Sequence, residues 1–171
     1  MGKSILITGG ARSGKSRIAE TWVAAHGPRP IYIATAEAWD AEMEARIAAH
    51  IERRGTDWVT VQEPLDLIGA LTQNDGTGPV LVDCLTLWLS NMMHAERDWR
   101  AAAHTLADAL PQLSSEVTFV TNEVGGGIVP ENALARAFRD AAGEVNQVIA
   151  AAVDEVYLAV AGYPLKVKPH A

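Results

Sequence analysis

The stretch Gly9-Gly10-Ala11-Arg12-Ser13-Gly14-Lys15-Ser16 constrains this chain more than any other. It fits G-x-x-x-x-G-K-[ST] at every fixed position, with the apolar run SILIT (4–8) before it and a helical pattern (15–26) after it. Glycines let the backbone turn tightly and aim its N–H groups inward. The helix that follows adds the positive end of its dipole, so the loop is built to cradle phosphates. Lys15 can reach the β- and γ-phosphates, and Ser16 can offer its hydroxyl to Mg²⁺. The motif implies nucleoside triphosphate binding. It specifies neither the base nor what becomes of the phosphates.

A strand–loop–helix of this kind belongs in a sheet, and the chain supplies further strands. IYIAT (31–35), WVTV (58–61), VLVD (80–83), VTFVT (117–121) and VYLAV (156–160) are short and rich in β-branched residues. Several are apolar throughout, the pattern of parallel strands covered on both faces. Helical patterns at 39–54, 64–72, 97–110 and about 131–152 fall between them, and AGYPLKVK adds a short final strand beside VYLAV. This order predicts an α/β fold: a doubly wound, mostly parallel sheet with helices on both faces. It is P-loop NTPase-like (RecA-like), with residues 1–171 as a single domain.

Ligands collect at the carboxyl ends of parallel strands. Asp83 closes VLVD and is expected to hold the Mg²⁺ shell together with Ser16. The same rule brings Ala34, Thr35 and Ala36, then Glu63, then Asn122 and Glu123 to the site. Glu63, Asp83 and Glu123 are open alternatives for the base that takes a hydroxyl proton. Three glycines (125–127) follow Glu123, and such a run is entropically costly. It implies close backbone approach to a ligand or a loop that moves; a plain long connection explains it equally well.

Charge and cysteine content exclude several classes. The formal net charge of −7 disfavours nucleic acid and anionic membrane surfaces. Cys84 is the single cysteine, so no disulfide forms within the chain, and no zinc-ligation pattern is present. No signal-peptide pattern and no run near the roughly 18 apolar residues of a membrane span occur. The expectation is a cytoplasmic protein without stable membrane insertion.

Five histidines are candidates for chemistry. His26, His94, His104 and His170 lie away from strand ends and read as surface residues. His50, in ARIAAHIERR, follows Glu42 and Arg46 at successive i,i+4 positions, so the three share a helix face. A nearby Arg46 would disfavour imidazolium and favour a nucleophilic neutral ring. Trp88 and Trp99 flank a region expected to meet another subunit or to cover a large substrate.

Together ITGGARSGKS, YIATAEAWDAEMEARIAAHIERR, VDCLT, TNEVGGGIVPENALARAFRDAAGEVNQ and AGYPLKVK resemble the bifunctional adenosylcobinamide kinase/adenosylcobinamide-phosphate guanylyltransferases of cobalamin biosynthesis. The resemblance implies two reactions. ATP or GTP first phosphorylates adenosylcobinamide. GMP is then moved from GTP onto that phosphate through a GMP-histidine intermediate, giving adenosyl-GDP-cobinamide and pyrophosphate. It also implies a homotrimer. By motif position it makes His50 the guanylylated residue, with Lys15 as its catalytic partner in the cradle. Nucleotide contacts then fall on Gly9, Gly10, Ala11, Arg12, Ser13, Gly14, Lys15 and Ser16, on Ala34, Thr35 and Ala36, on Ile51, Glu52, Arg53 and Arg54, and on Glu63 and Asp83. The alternative reading is another small-molecule P-loop kinase without nucleotidyl transfer.

Overall fold

Each central strand is apolar on both sides, and its two sets of side chains enter two different layers. In the computed structural model Ile5 and Ile7 of β1 (Ser4–Gly9) pack with Ile18, Ala19 and Val23 of α1 (Lys15–Ala25), while Leu6 between them points into the opposite layer. The same alternation divides β2 (Ile31–Ala34): Ile31 and Ile33 on one side, Tyr32 and Ala34 on the other. It divides β4 (Val80–Asp83) and β5 (Val117–Asn122) in the same way. The structure describes residues 2–37 and 41–169. The side chains of Glu42, Met43, Arg46 and Arg53 lie outside the described residues, and so does the expected Glu42–Arg46–His50 face.

The seven strands follow the order β3-β2-β4-β5-β1-β6-β7, with β3 at Val59–Gln62, β6 at Glu155–Val160 and β7 at Tyr163–Lys168. All pairs are parallel except β6 with β7, which form an antiparallel hairpin. The larger layer holds α3 (Leu67–Asn74), α4 (Leu85–His94), α5 (Trp99–Ala109) and α6 (Ala133–Ala152). The smaller core layer is built on α1, and α2 (Ala41–Arg54) sets Arg54 against Tyr32 on the same side of the sheet. No helix among the described residues is long and apolar enough to cross a membrane.

Two expectations change. The helix α4 is absent from the sequence reading, because LTLWLSNMMH is apolar nearly all round and shows no polar face to mark it. It buries Leu85, Trp88, Leu89 and Met92 in the core. Trp88 therefore covers neither a subunit nor a substrate. It is 2 % exposed, and its indole N–H donates to the Leu65 carbonyl at 2.8 Å. Trp99 packs half-buried against the same core, with the Arg100 guanidinium 4.5 Å from its ring centre.

Candidate active site

The phosphate loop joins β1 to α1 at the carboxyl edge of the sheet. Gly14 precedes α1 at φ 91°, a left-handed conformation, and a methyl group there would stand 2.9 Å from the Gly162 Cα. Glycine is thus required twice over. The turn between β6 and β7 closes this contact: the Gly162 N–H donates to the Ser13 carbonyl at 2.8 Å. Gly9 is similarly confined, since a Cβ would meet the Ser13 hydroxyl at 2.6 Å and the Ala159 carbonyl at 2.9 Å. Lys15 is 9 % exposed and donates to the Gly10 carbonyl at 3.0 Å. Burial holds its ammonium below the usual lysine range, and the nearby Asp83 carboxylate partly opposes that shift. The Ser13 and Thr8 hydroxyls are buried without a hydrogen-bond partner among the described residues.

Beside this loop lies a cavity of about 290 Å³ between α2 and the ends of β2, β3 and β4. His50 lines it from α2, together with Ile47, Ile51 and Arg54, spaced three and four residues apart so that they share a face. Opposite stand Tyr32, Ala34, Thr60, Gln62, Asp83 and Asn122. Asp83 accepts a hydrogen bond from the Tyr32 hydroxyl at 3.0 Å. Burial, reinforced by the Asp83 charge, drives the Tyr32 phenol far above its ordinary pKa, so it stays a donor. Asp83 thus belongs to both places: it lines the His50 cavity and attracts Lys15 in the cradle. Cys84, also in the wall, is pushed up to about 12 by burial and is inert as a nucleophile at neutral pH.

Arg54 is the least usual member. Its guanidinium lies 3.3 Å from the centre of the Tyr32 ring and 3.8 Å from the Glu20 carboxylate, with the side chain only 2 % exposed. Two of its nitrogens, Nε and Nη1, have no hydrogen-bond partner among the described residues. Buried donors of a charged group are seldom left unsatisfied, so an anion fits here.

Other expected site residues separate into groups. Ala34, Ala36, Ile51, Arg54 and Asp83 line the cavity, while Gly9 to Ser16 form the cradle, Arg12 being exposed. Three expected residues do not line this cavity. Thr35 is fully buried. Its hydroxyl donates to the Cys84 carbonyl and accepts from the Cys84 N–H, both at 2.8 Å, so it braces the end of β4 and has no hydrogen left for a nucleotide. The Glu63 carboxylate accepts the N–H groups of Leu65 and Asp66 at 2.9 and 2.8 Å, shaping the entry to α3 outside the cavity wall. Glu52 is exposed and is not part of the wall. The Arg53 side chain lies outside the described residues.

Asn122 lines the cavity as its strand-end position implies, while Tyr32, Thr60 and Gln62 enter the site without being assigned to it from the sequence. Thr60 and Gln62 carry a weaker signal, polar residues alternating with Val59 and Val61 on one strand. The Gln62 amide donates to the Ala36 carbonyl, tying the lips of β2 and β3 together.

Residues 5–167 match the model of the family described as cobinamide kinase / cobinamide phosphate guanyltransferase. The chain belongs to this family. It is 44% identical over 166 residues to the bifunctional adenosylcobalamin biosynthesis protein CobP of Pseudomonas aeruginosa, covering 95% of this chain and 96% of that one. It is 45% identical over 182 residues to the bifunctional adenosylcobalamin biosynthesis protein CobU of Salmonella typhimurium, covering 96% and 99%. Among solved structures, an ATPase from the type III secretion system of pathogenic bacteria superposes with a TM-score of 0.53 at 13% identity. That match covers 92% of this chain and 51% of the ATPase and shows a shared fold. Membership in the family makes the chain an enzyme, a kinase and guanylyltransferase with a P-loop.

Proposed function

We propose that the enzyme phosphorylates adenosylcobinamide with ATP or GTP and then transfers GMP from GTP to the new phosphate through His50. One observation carries this reading: His50 and Asp83 line one cavity, and the Asp83 charge is also felt by Lys15 of the cradle. This supports a triphosphate that is held by the loop and extends its α-phosphate toward the cavity that contains the imidazole.

In the kinase step the acceptor hydroxyl oxygen attacks the γ-phosphorus. The nucleoside diphosphate leaves, and the hydroxyl proton passes to a carboxylate. Glu63, Asp83 and Glu123 remain the candidates; Glu63 and Glu123 each accept backbone N–H groups of their own turns through one carboxylate oxygen. Lys15 and the loop N–H groups stabilise the charge that develops. In the transfer step an imidazole nitrogen attacks the α-phosphorus of GTP, forming an N–P bond as pyrophosphate leaves. A phosphate oxygen of cobinamide phosphate then displaces the imidazole, which is restored. Arg54, with two unsatisfied donors, fits an oxygen of the bound phosphates.

Mg²⁺ suits the donors available, a serine hydroxyl at the first turn of α1 and one carboxylate. Such an ion takes most of its ligands from water and phosphate. Ser16 and Asp83 would hold it, and it would offset charge on the β- and γ-oxygens. The resemblance also carries a cytoplasmic homotrimer; sedimentation of the purified chain tests the assembly.

GTP labelled at the α-phosphorus provides the decisive experiment. Wild-type enzyme should take up acid-labile, alkali-stable label, and His50→Ala should take up none while still phosphorylating cobinamide. Full GMP transfer by His50→Ala would remove His50 from the mechanism. Kinase activity without any label on the wild type would favour the simpler kinase.

A further inference from the structure

The acceptor is too large for the cavity that holds His50. That cavity measures about 290 Å³, at the lower limit of ordinary small-molecule pockets. A corrinoid macrocycle with its amide arms and axial ligand exceeds it several-fold, so the ring must rest outside. Only the hydroxyl or phosphate arm then enters.

The connection from β5 to α6 offers a surface for the ring. It starts on the cradle itself, because the Glu123 N–H donates to the Gly9 carbonyl at 3.0 Å. Beyond it Val124, Ile128 and Val129 are exposed, with Leu134 in the first turn of α6. Ile128 is 98 % exposed, the most exposed large apolar residue among those described. Exposed apolar groups this concentrated beside a substrate site are typical of a contact surface. The backbone beneath is pinned rather than loose: Arg139 donates to the Gly125 carbonyl, and Arg136 to those of Pro130 and Glu131. Gly126 and Gly127 have open space where a side chain would stand, which leaves the surface clear for a flat ring. Local charge is balanced, with Glu123 and Glu131 beside Arg136 and Arg139, so the apolar area carries the contact.

We propose that Val124, Ile128 and Val129, backed by Leu134, form the surface on which the corrinoid ring rests during both transfers. The proposal rests on the function above and adds where its acceptor binds. It is contiguous with the nucleotide site and shares no side chain with it.

The test compares Ile128→Ser/Val129→Ser with wild type in cobinamide phosphorylation. The KM for cobinamide should rise about tenfold or more, the loss expected when two apolar contacts to a ligand go. The KM for GTP should not change, and with GTP alone the variant should still release pyrophosphate and retain label. Ile128→Leu, which keeps the apolar area, should stay near wild type. An unchanged KM for cobinamide overturns the proposal. So does a variant that sediments as a smaller species and loses its reaction with GTP, since the ridge would then be a contact between copies of the chain. Ile128→Ser alone guards against misfolding, because that side chain packs against nothing. A wild type that takes no label refutes the histidine intermediate and leaves the KM comparison valid.

Discussion

His50 and Arg54 stand one turn apart on α2, and both reach the cavity. Arg54 brings the larger electrostatic cost. Its side chain, 2 % exposed and with two nitrogens lacking hydrogen bonds among the described residues, forgoes much of its hydration for one ring and one distant carboxylate. If a phosphate recovers that cost, Arg54→Met should leave the fold intact and raise the KM for GTP at least about tenfold, the scale of one lost charged hydrogen bond. Steady-state kinetics beside a urea titration would check both halves. Thr35 makes the opposite case. Thr35→Val keeps the shape but strands the buried N–H of Cys84, whose carbonyl keeps only the Trp88 N–H, so unfolding free energy should fall by about 1–3 kcal/mol. The sequence could place Thr35 at a strand end beside the site. It could not show that the hydroxyl turns inward to the neighbouring strand, because that depends on β2 pairing with β4.

Among the elements, the hairpin of β6 and β7 does more than close the sheet. Its turn, with Ala161 at φ 51° and Gly162 at φ 87°, presses against the phosphate loop. The two glycines at this contact should respond differently to alanine. Gly14→Ala places a methyl 2.9 Å from backbone on top of a left-handed φ, so nucleotide binding should be lost. In Gly162→Ala the new methyl meets only the end of Arg17 at 3.5 Å, leaving the φ penalty of about 1–2 kcal/mol and a weaker but measurable nucleotide affinity. Calorimetric titration with GTP of both variants separates these outcomes. The strands β1, β2, β4 and β5 were legible because apolar runs and a phosphate motif are local signals. The sequence also suggested β7. Its contact with the loop was not legible, since it joins residues about 150 positions apart. Nor was α4, whose apolar residues go nearly all the way round.

Across the whole molecule the two edges of the sheet are built differently. At the carboxyl edge Arg54 and Ser13 have polar atoms without a partner among the described residues, where a ligand belongs. At the amino edge the Thr118 hydroxyl is also without one, but the carboxylates of Asp154 and Glu155 are satisfied. Asp154 accepts from the Ser4 N–H and hydroxyl at 2.7 and 2.8 Å, while Glu155 meets Lys166 at 2.7 Å, Lys3 at 3.0 Å and the Tyr157 hydroxyl at 2.8 Å. These contacts tie the first strand to the last two. Chiefly through the Lys166 hydrogen bond, the Glu155 carboxyl is held at about 2 against an ordinary value of 4.5. Its folded pKa is depressed, so its contribution is complete above about 4.5 and is lost as the pH falls toward 2. Solvent near the two lysines weakens the effect, which makes its pH dependence more telling than its size. Glu155→Gln should therefore be less stable than wild type at neutral pH and should lose less stability on acidification through that window. Its KM for GTP should stay unchanged, because the substituted group lies at the edge opposite the cradle. Urea unfolding across the window, with GTP kinetics at neutral pH, tests this division. If the substitution weakened nucleotide binding as much as stability, the two edges would be coupled through β1, and their separation into a supporting edge and a reacting edge would fail.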